Sequence, residues 1–130
     1  MLLFGHRFIE SEKFYHINDV ASINNTPPSS TLFLDFSEEN LDVIQHFNEN
    51  DLSFVLRVQN ITQLIYANAL NADYIAVDKD LAKSAQNIAE SYLFDAKILV
   101  MSSDERDIEE LALLGVDGLL CATAIIKINS

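Results

Sequence analysis

Beyond residue 30 the chain alternates two kinds of apolar pattern. Short, almost continuous apolar runs fall at residues 31–36, 53–58, 73–78, 97–101 and 118–121, and each meets polar residues on its C-terminal side. Runs of this length without apolar–polar alternation suit strands buried on both faces of a parallel sheet. Between them the apolar positions take helical spacing. Ile61, Leu64, Ile65 and Ala69 follow Asn60, which can cap a helix with Gln63 three residues on. Leu81, Ala82, Ala85, Ile88, Ala89, Tyr92 and Leu93 form a longer stripe. Ile108, Leu111, Ala112 and Leu114 follow the acidic opening Asp104-Glu105-Arg106-Asp107, which suits a positive dipole end, and Gly115 is placed to stop that helix. A weaker helix over residues 39–48 rests on Leu41, Ile44 and Phe47.

The N-terminal part reads differently. Residues 2–9 and 14–17 are two short runs rich in apolar and aromatic side chains, separated by Glu10-Ser11-Glu12-Lys13, and predict a pair of strands, as a hairpin or as an extension of the sheet edge. Asn24-Asn25-Thr26-Pro27-Pro28-Ser29-Ser30 holds both prolines of the chain, so neither helix nor central strand can cross it. The predicted organisation is one domain over 1–130: an N-terminal strand pair at 1–23, a Pro-containing linker at 24–30, and a βα-repeat core over 31–130.

Strand and helix thus alternate four times and finish on a strand. Right-handed crossovers turn that order into an α/β fold, a mostly parallel five-stranded sheet with flanking helices, either flavodoxin-like or a half-barrel. An eight-unit barrel is not expected, since it takes roughly 200 residues or more.

Composition narrows the class. The chain has 130 residues, 49% of them apolar and 22% charged, which is the make-up of a folded globular domain. Twenty acids against eight Lys and Arg give a net charge of −12, which argues against nucleic acid and anionic membrane surfaces as partners. One cysteine excludes an internal disulfide and a cysteine-rich metal site. With no apolar run long enough to cross a membrane and no signal-peptide order at the N-terminus, a cytoplasmic protein is expected. No cofactor is implied.

Two resemblances follow from specific stretches. Leu56-Arg57-Val58-Gln59-Asn60-Ile61-Thr62, then Ala69-Leu70-Asn71-Ala72-Asp73-Tyr74-Ile75, and finally residues 107–120 with Ala122-Thr123-Ala124-Ile125 are similar to the C-terminal half of a phosphate-binding TIM barrel of the indole-glycerol-phosphate synthase kind. That resemblance implies a barrel-type scaffold. In that family glycine-rich turns grip the phosphate; here the matching turns read Ser102-Ser103-Asp104 and Cys121-Ala122-Thr123, without glycine and with an acid beside the first. The second, weaker resemblance is to two-component receiver domains. It places Asp35 as the acidic metal-binding residue, Asp78 as phosphoacceptor and Ser102 as switch residue, with Ala122 where the family's lysine stands.

In an open parallel sheet, ligands sit beyond the carboxyl ends of the strands. Asp35, Arg57, Asp78, Lys79, Ser102 and Ser103 fall on that edge and form the candidate ligand-binding set, with Ser37 and Cys121 nearby. The competing reading makes Arg57 a structural ion-pair partner of Asp35 or Asp78. No catalytic residue and no metal ligand is assigned. His6, His16 and His46 lack metal-ligand spacing, although His6 and His16 could face each other across the N-terminal strands. Cys121 reads as a small core residue whose thiol nearby acids would make less acidic.

The functional expectation is a non-catalytic interaction or assembly protein that keeps a barrel- or receiver-like scaffold. The alternative is a binding module or enzyme for a small polar, phosphorylated or unphosphorylated metabolite at the strand ends. Phe4, Phe8, Phe14 and Tyr15 either plug the sheet or form a self-association surface, and a homodimer is the expected assembly.

Overall fold

The computed structural model describes residues 1–128. It contains eight strands, β1 (Leu2–Phe4), β2 (Phe14–His16), β3 (Thr31–Asp35), β4 (Phe54–Arg57), β5 (Tyr74–Asp78), β6 (Lys97–Met101), β7 (Gly118–Leu120) and β8 (Ile125–Lys127). Four α-helices lie between them: α1 (Leu41–Glu49), α2 (Ile61–Ala69), α3 (Ala82–Ser91) and α4 (Asp107–Leu114). All pairings are parallel, in the order β1-β7-β6-β5-β4-β3-β2-β8.

From β3 to β7 each strand lies beside the next in sequence, with an α-helix in every crossover. Right-handed crossovers that always advance in one direction put all their helices on the same face. A flavodoxin-like order, which reverses direction, is thereby replaced by the half-barrel branch of the expectation. The helix-free face carries Phe4, Phe14, Phe33, Val55, Ala76, Leu99 and Leu120, and these form one buried cluster with Ala124. Curling buries this face. Phe4 and Phe14 lie on strands six positions apart in the sheet, which in a flat sheet would separate them by roughly 29 Å at about 4.8 Å per strand. Their ring centroids are 4.9 Å apart, and both rings touch Tyr74, at 5.7 and 5.6 Å. Gly5, after β1, meets the turn that leads from β7 into β8, where Thr123 Oγ1 donates to the Gly5 carbonyl at 2.6 Å. The second, larger cluster lies between the outer face and the helices, around Leu32, Leu34, Ile44, Phe47, Leu56, Leu64, Ile75 and Ile98.

Three expectations are corrected here. The sheet has eight strands rather than five, because Leu2–Phe4, Phe14–His16 and Ile125–Lys127 all join it. The first two do not pair with each other: β1 is taken up by β7, and β2 lies between β3 and β8. His6 and His16 therefore do not face each other across a hairpin. Eight strands fit into so short a chain because the β1–β2, β2–β3 and β7–β8 connections contain no α-helix, only 3₁₀ turns at Ala21–Asn25 and Ala122–Ala124.

Local signals held where they were strong. Asn60 Oδ1 accepts the Gln63 amide at 2.9 Å and starts α2. Gly115 ends α4 with φ of +78°. All four helices stop in the same way: Leu52, Ala72, Phe94 and Val116 donate backbone hydrogen bonds back to Phe47, Ala67, Ala89 and Leu111. The preceding residues, Asp51, Asn71, Leu93 and Gly115, take positive φ, as this helix-ending motif demands.

Candidate functional site

The parallel arrangement brings the C-terminal ends of all eight strands to one rim. β2 ends at His16, β3 at Asp35, β4 at Arg57 and β5 at Asp78, while Ser102 follows β6, Cys121 follows β7 and Gly5 follows β1. Every residue of the sequence-derived candidate set lies on this rim, five of the six in two groups and Ser103 apart from them.

The first group is a row of charges on adjacent strands. Asp35 stands opposite Arg57 in the β3–β4 register. The side chain that Arg57 contacts is Asp78, with Nη2 donating to Oδ1 at 3.2 Å and Oδ2 at 3.4 Å. Of the two ion-pair partners considered for Arg57, Asp78 is the one in contact. Asp35 instead lies 3.6 Å from Nε2 of His16. The neighbouring His16 side chain, with the fields of Arg57 and Lys127, holds the Asp35 carboxyl below its usual range despite partial burial.

The second group ties β5 to α4. Lys79 Nζ donates to Asp107 Oδ1 at 2.8 Å and approaches Glu110 Oε2 at 2.9 Å. These two hydrogen bonds raise the Lys79 pKa. Ser102 Oγ donates to the other Asp107 oxygen at 2.7 Å and accepts the Asp104 amide at 3.2 Å. Lys79 and then Ser102, both bonded to it, hold the Asp107 carboxyl low. Ser103 belongs elsewhere on the rim: its Oγ accepts the Ala122 amide at 3.1 Å, joining the turns after β6 and β7.

Sequence reasoning missed a third cluster, formed by His6, Arg7 and Glu105. Arg7 grips Glu105 through Nε at 3.0 Å and Nη2 at 3.2 Å, and His6 Nε2 lies 2.9 Å from the same carboxylate. The Arg7 hydrogen bond is the main reason the Glu105 pKa falls. His6 Nδ1 accepts the Phe8 amide at 3.1 Å, which assigns the ring proton to Nε2 and makes His6 a donor to Glu105. A His-Arg pair directly after an apolar run was visible in the sequence. It became a rim position only once Leu2–Phe4 was a member of the main sheet.

Beside this cluster lies a cleft of about 840 Å³, lined by residues 5–7, 103–106, Ile108, Leu119, Cys121 and Thr123. Cys121 is buried, and burial, with the charge of Glu105, raises its thiol pKa. That matches the core role read from the sequence and disfavours thiolate chemistry. Among the described residues no group of three or more His, Cys, Asp and Glu side chains is placed to hold a metal ion, and no helix is long and apolar enough to cross a membrane.

Fold and rim together define an α/β half-barrel whose strand-end charges are joined into ion pairs and hydrogen bonds. No family model and no curated protein matches the chain.

Proposed function

We propose that this protein acts by association rather than turnover, as a non-catalytic interaction or assembly protein on a barrel-like scaffold. One observation carries the reading. The rim groups that chemistry would draw on are engaged with one another: Arg57 with Asp78, Lys79 and Ser102 with Asp107, His16 with Asp35, and His6 and Arg7 with Glu105. A general base or nucleophile must reach its substrate, and groups held in this way are poorly disposed to do so. The interior offers no alternative, because aromatic and aliphatic side chains fill the curl.

The assembly we propose is a homodimer. Phe4 and Phe14 are buried inside the chain's own sheet, so they serve as plugs and not as a contact surface. The N-terminal segment leaves apolar groups for a partner, Phe8, 71% exposed, and Ile9, 47% exposed, together with Met1 and Leu2. A two-fold contact through them would bury the same patch on both subunits. Light scattering at micromolar concentration tests this. A mass near twice 14.6 kDa is expected, falling to the single-chain mass in Phe8→Asp. The net charge of −12 opposes pairing, so added salt tightens the dimer or leaves it unchanged. A single-chain mass at every salt concentration would end the homodimer proposal.

A further inference from the structure

The cleft between the ends of β1, β6 and β7 has features that the ion-paired rim alone does not account for. Three segments far apart in sequence build it: residues 5–7, residues 103–108 and residues 119–123. It is an open cleft of about 840 Å³, within the size range of small-molecule sites. Ile108, Leu119 and Cys121 supply apolar wall, with Leu119 and Cys121 buried. The polar wall carries two arginine–carboxylate pairs, Arg7–Glu105 and Arg106–Asp104, the second made through contacts of 2.8 to 3.2 Å. Asp104 is held down to about 2, chiefly by its hydrogen bond from Arg106, so both acids of the wall are anions at neutral pH.

Two cations and two anions make these pairs neutral together, in a chain whose overall charge is −12. A simple anion would meet Asp104 and Glu105, and a simple cation would meet Arg7 and Arg106. A ligand carrying both signs at short separation can satisfy both, with its carboxylate toward a guanidinium and its ammonium toward a carboxylate. The apolar wall then receives its side chain. His6 sharpens the arrangement: its side chain is only 9% exposed, and its Nε2 proton holds one Glu105 oxygen in place. Ser103, which accepts the Ala122 amide, keeps its own hydroxyl proton to give.

We infer that this cleft binds the zwitterion of an apolar amino acid, either free or as a short peptide with both ends charged. Binding of this kind needs no catalytic group and goes beyond the association role proposed above.

The test is a titration of the ¹⁵N-labelled full chain with leucine and with leucyl-leucine, following the amides of Gly5, His6, Ser103 and Thr123. Saturable shifts of these amides are expected with at least one of the two, and whichever binds tighter identifies the source. 4-Methylpentanoate lacks the ammonium and isoamylamine lacks the carboxylate, so each should bind at least about tenfold more weakly than the zwitterion. Inorganic phosphate should leave these amides unmoved. Glu105→Gln and Arg7→Ala, both at exposed side chains, should each weaken the zwitterion about tenfold while the remaining spectrum keeps its dispersion. Absence of saturable shifts with both zwitterions would overturn the inference. So would binding of the acid or the amine alone as tight as the zwitterion, or unchanged affinity in both variants.

Discussion

Asp117, just before β7, accepts the backbone amide of Ile98 on the neighbouring strand β6 at 2.8 Å. The same device recurs two strands away, where Asp73 before β5 accepts the amide of Phe54 in β4 at 2.9 Å. In each case a carboxylate just after the helix-ending turn satisfies a strand-edge donor that the ladder leaves over. The β4–β5 and β6–β7 pairs therefore share one βα design, down to the position of the acid.

Removing these carboxylates should cost stability in proportion to the donor left behind. Asp117→Ala strands a backbone N–H beside a buried strand, for which the expected loss is about 1–3 kcal/mol. Asp117→Asn keeps an acceptor oxygen and should lose less. Urea denaturation of both variants, with Asp73→Ala and Asp73→Asn in parallel, checks the order; an Asn variant as destabilised as its Ala counterpart would refute the capping role.

Phe14 is the plug of the curled sheet, fully buried and in ring contact with Phe4 and Tyr74. Phe14→Ala is expected to lose about 3–5 kcal/mol, the range for emptying a core aromatic site. Phe8→Ala should stay within about 0.5 kcal/mol in the single chain, because its ring is exposed. Equal effects from the two would contradict the burial of the N-terminal segment.

Gly5 and Gly115 both have positive φ, +83° and +78°, yet their surroundings differ. A Cβ on Gly115 meets open space, whereas on Gly5 it would lie 2.8 Å from Thr123 Oγ1 and 2.9 Å from the Ala124 nitrogen. Gly115→Ala should lose about 1–2 kcal/mol from backbone strain alone. Gly5→Ala adds the clash at the seam and should lose more, and thermal unfolding of the two variants side by side gives the order.

Asp35 sets a pH dependence with a definite sign. Its carboxyl is held below the ordinary 3.8 by His16, so the folded state binds a proton less readily than the unfolded chain. The resulting stability is fully present above about pH 4 and is lost as pH falls through the lower folded-state value. The side chain is 53% exposed, so the contribution is at most about 1 kcal/mol. The stability difference between the natural chain and Asp35→Asn should therefore be present at neutral pH and vanish near pH 2, as urea midpoints at several pH values will show; a difference that persists in acid would exclude this origin.

Much of the middle of the fold could be read from local pattern. Residues 31–121 alternate strand and helix as their apolar spacing predicted, and the Asn60 cap and the Gly115 stop lie where short-range chemistry placed them. These features depend on neighbours within a few residues, so the sequence carries them. The rim position of Asp35, Arg57, Asp78, Lys79, Ser102 and Ser103 followed from the same source, since parallel strands align their ends.

What the sequence could not decide is which strands meet. Leu2–Phe4 and Ile125–Lys127 are three residues each, too short to display a period, and their partners lie more than a hundred residues away in β7 and β2. Whether Phe4 and Phe14 cover the sheet or face another chain depended on the curl, and the curl arises only when every crossover advances in one direction and leaves one apolar face without helices. The pairing of Arg57 with Asp78, and of His6 and Arg7 with Glu105, is likewise a product of strand order. Such contacts are settled by the closure of the whole sheet, because local propensity holds no information about partners brought together only by folding.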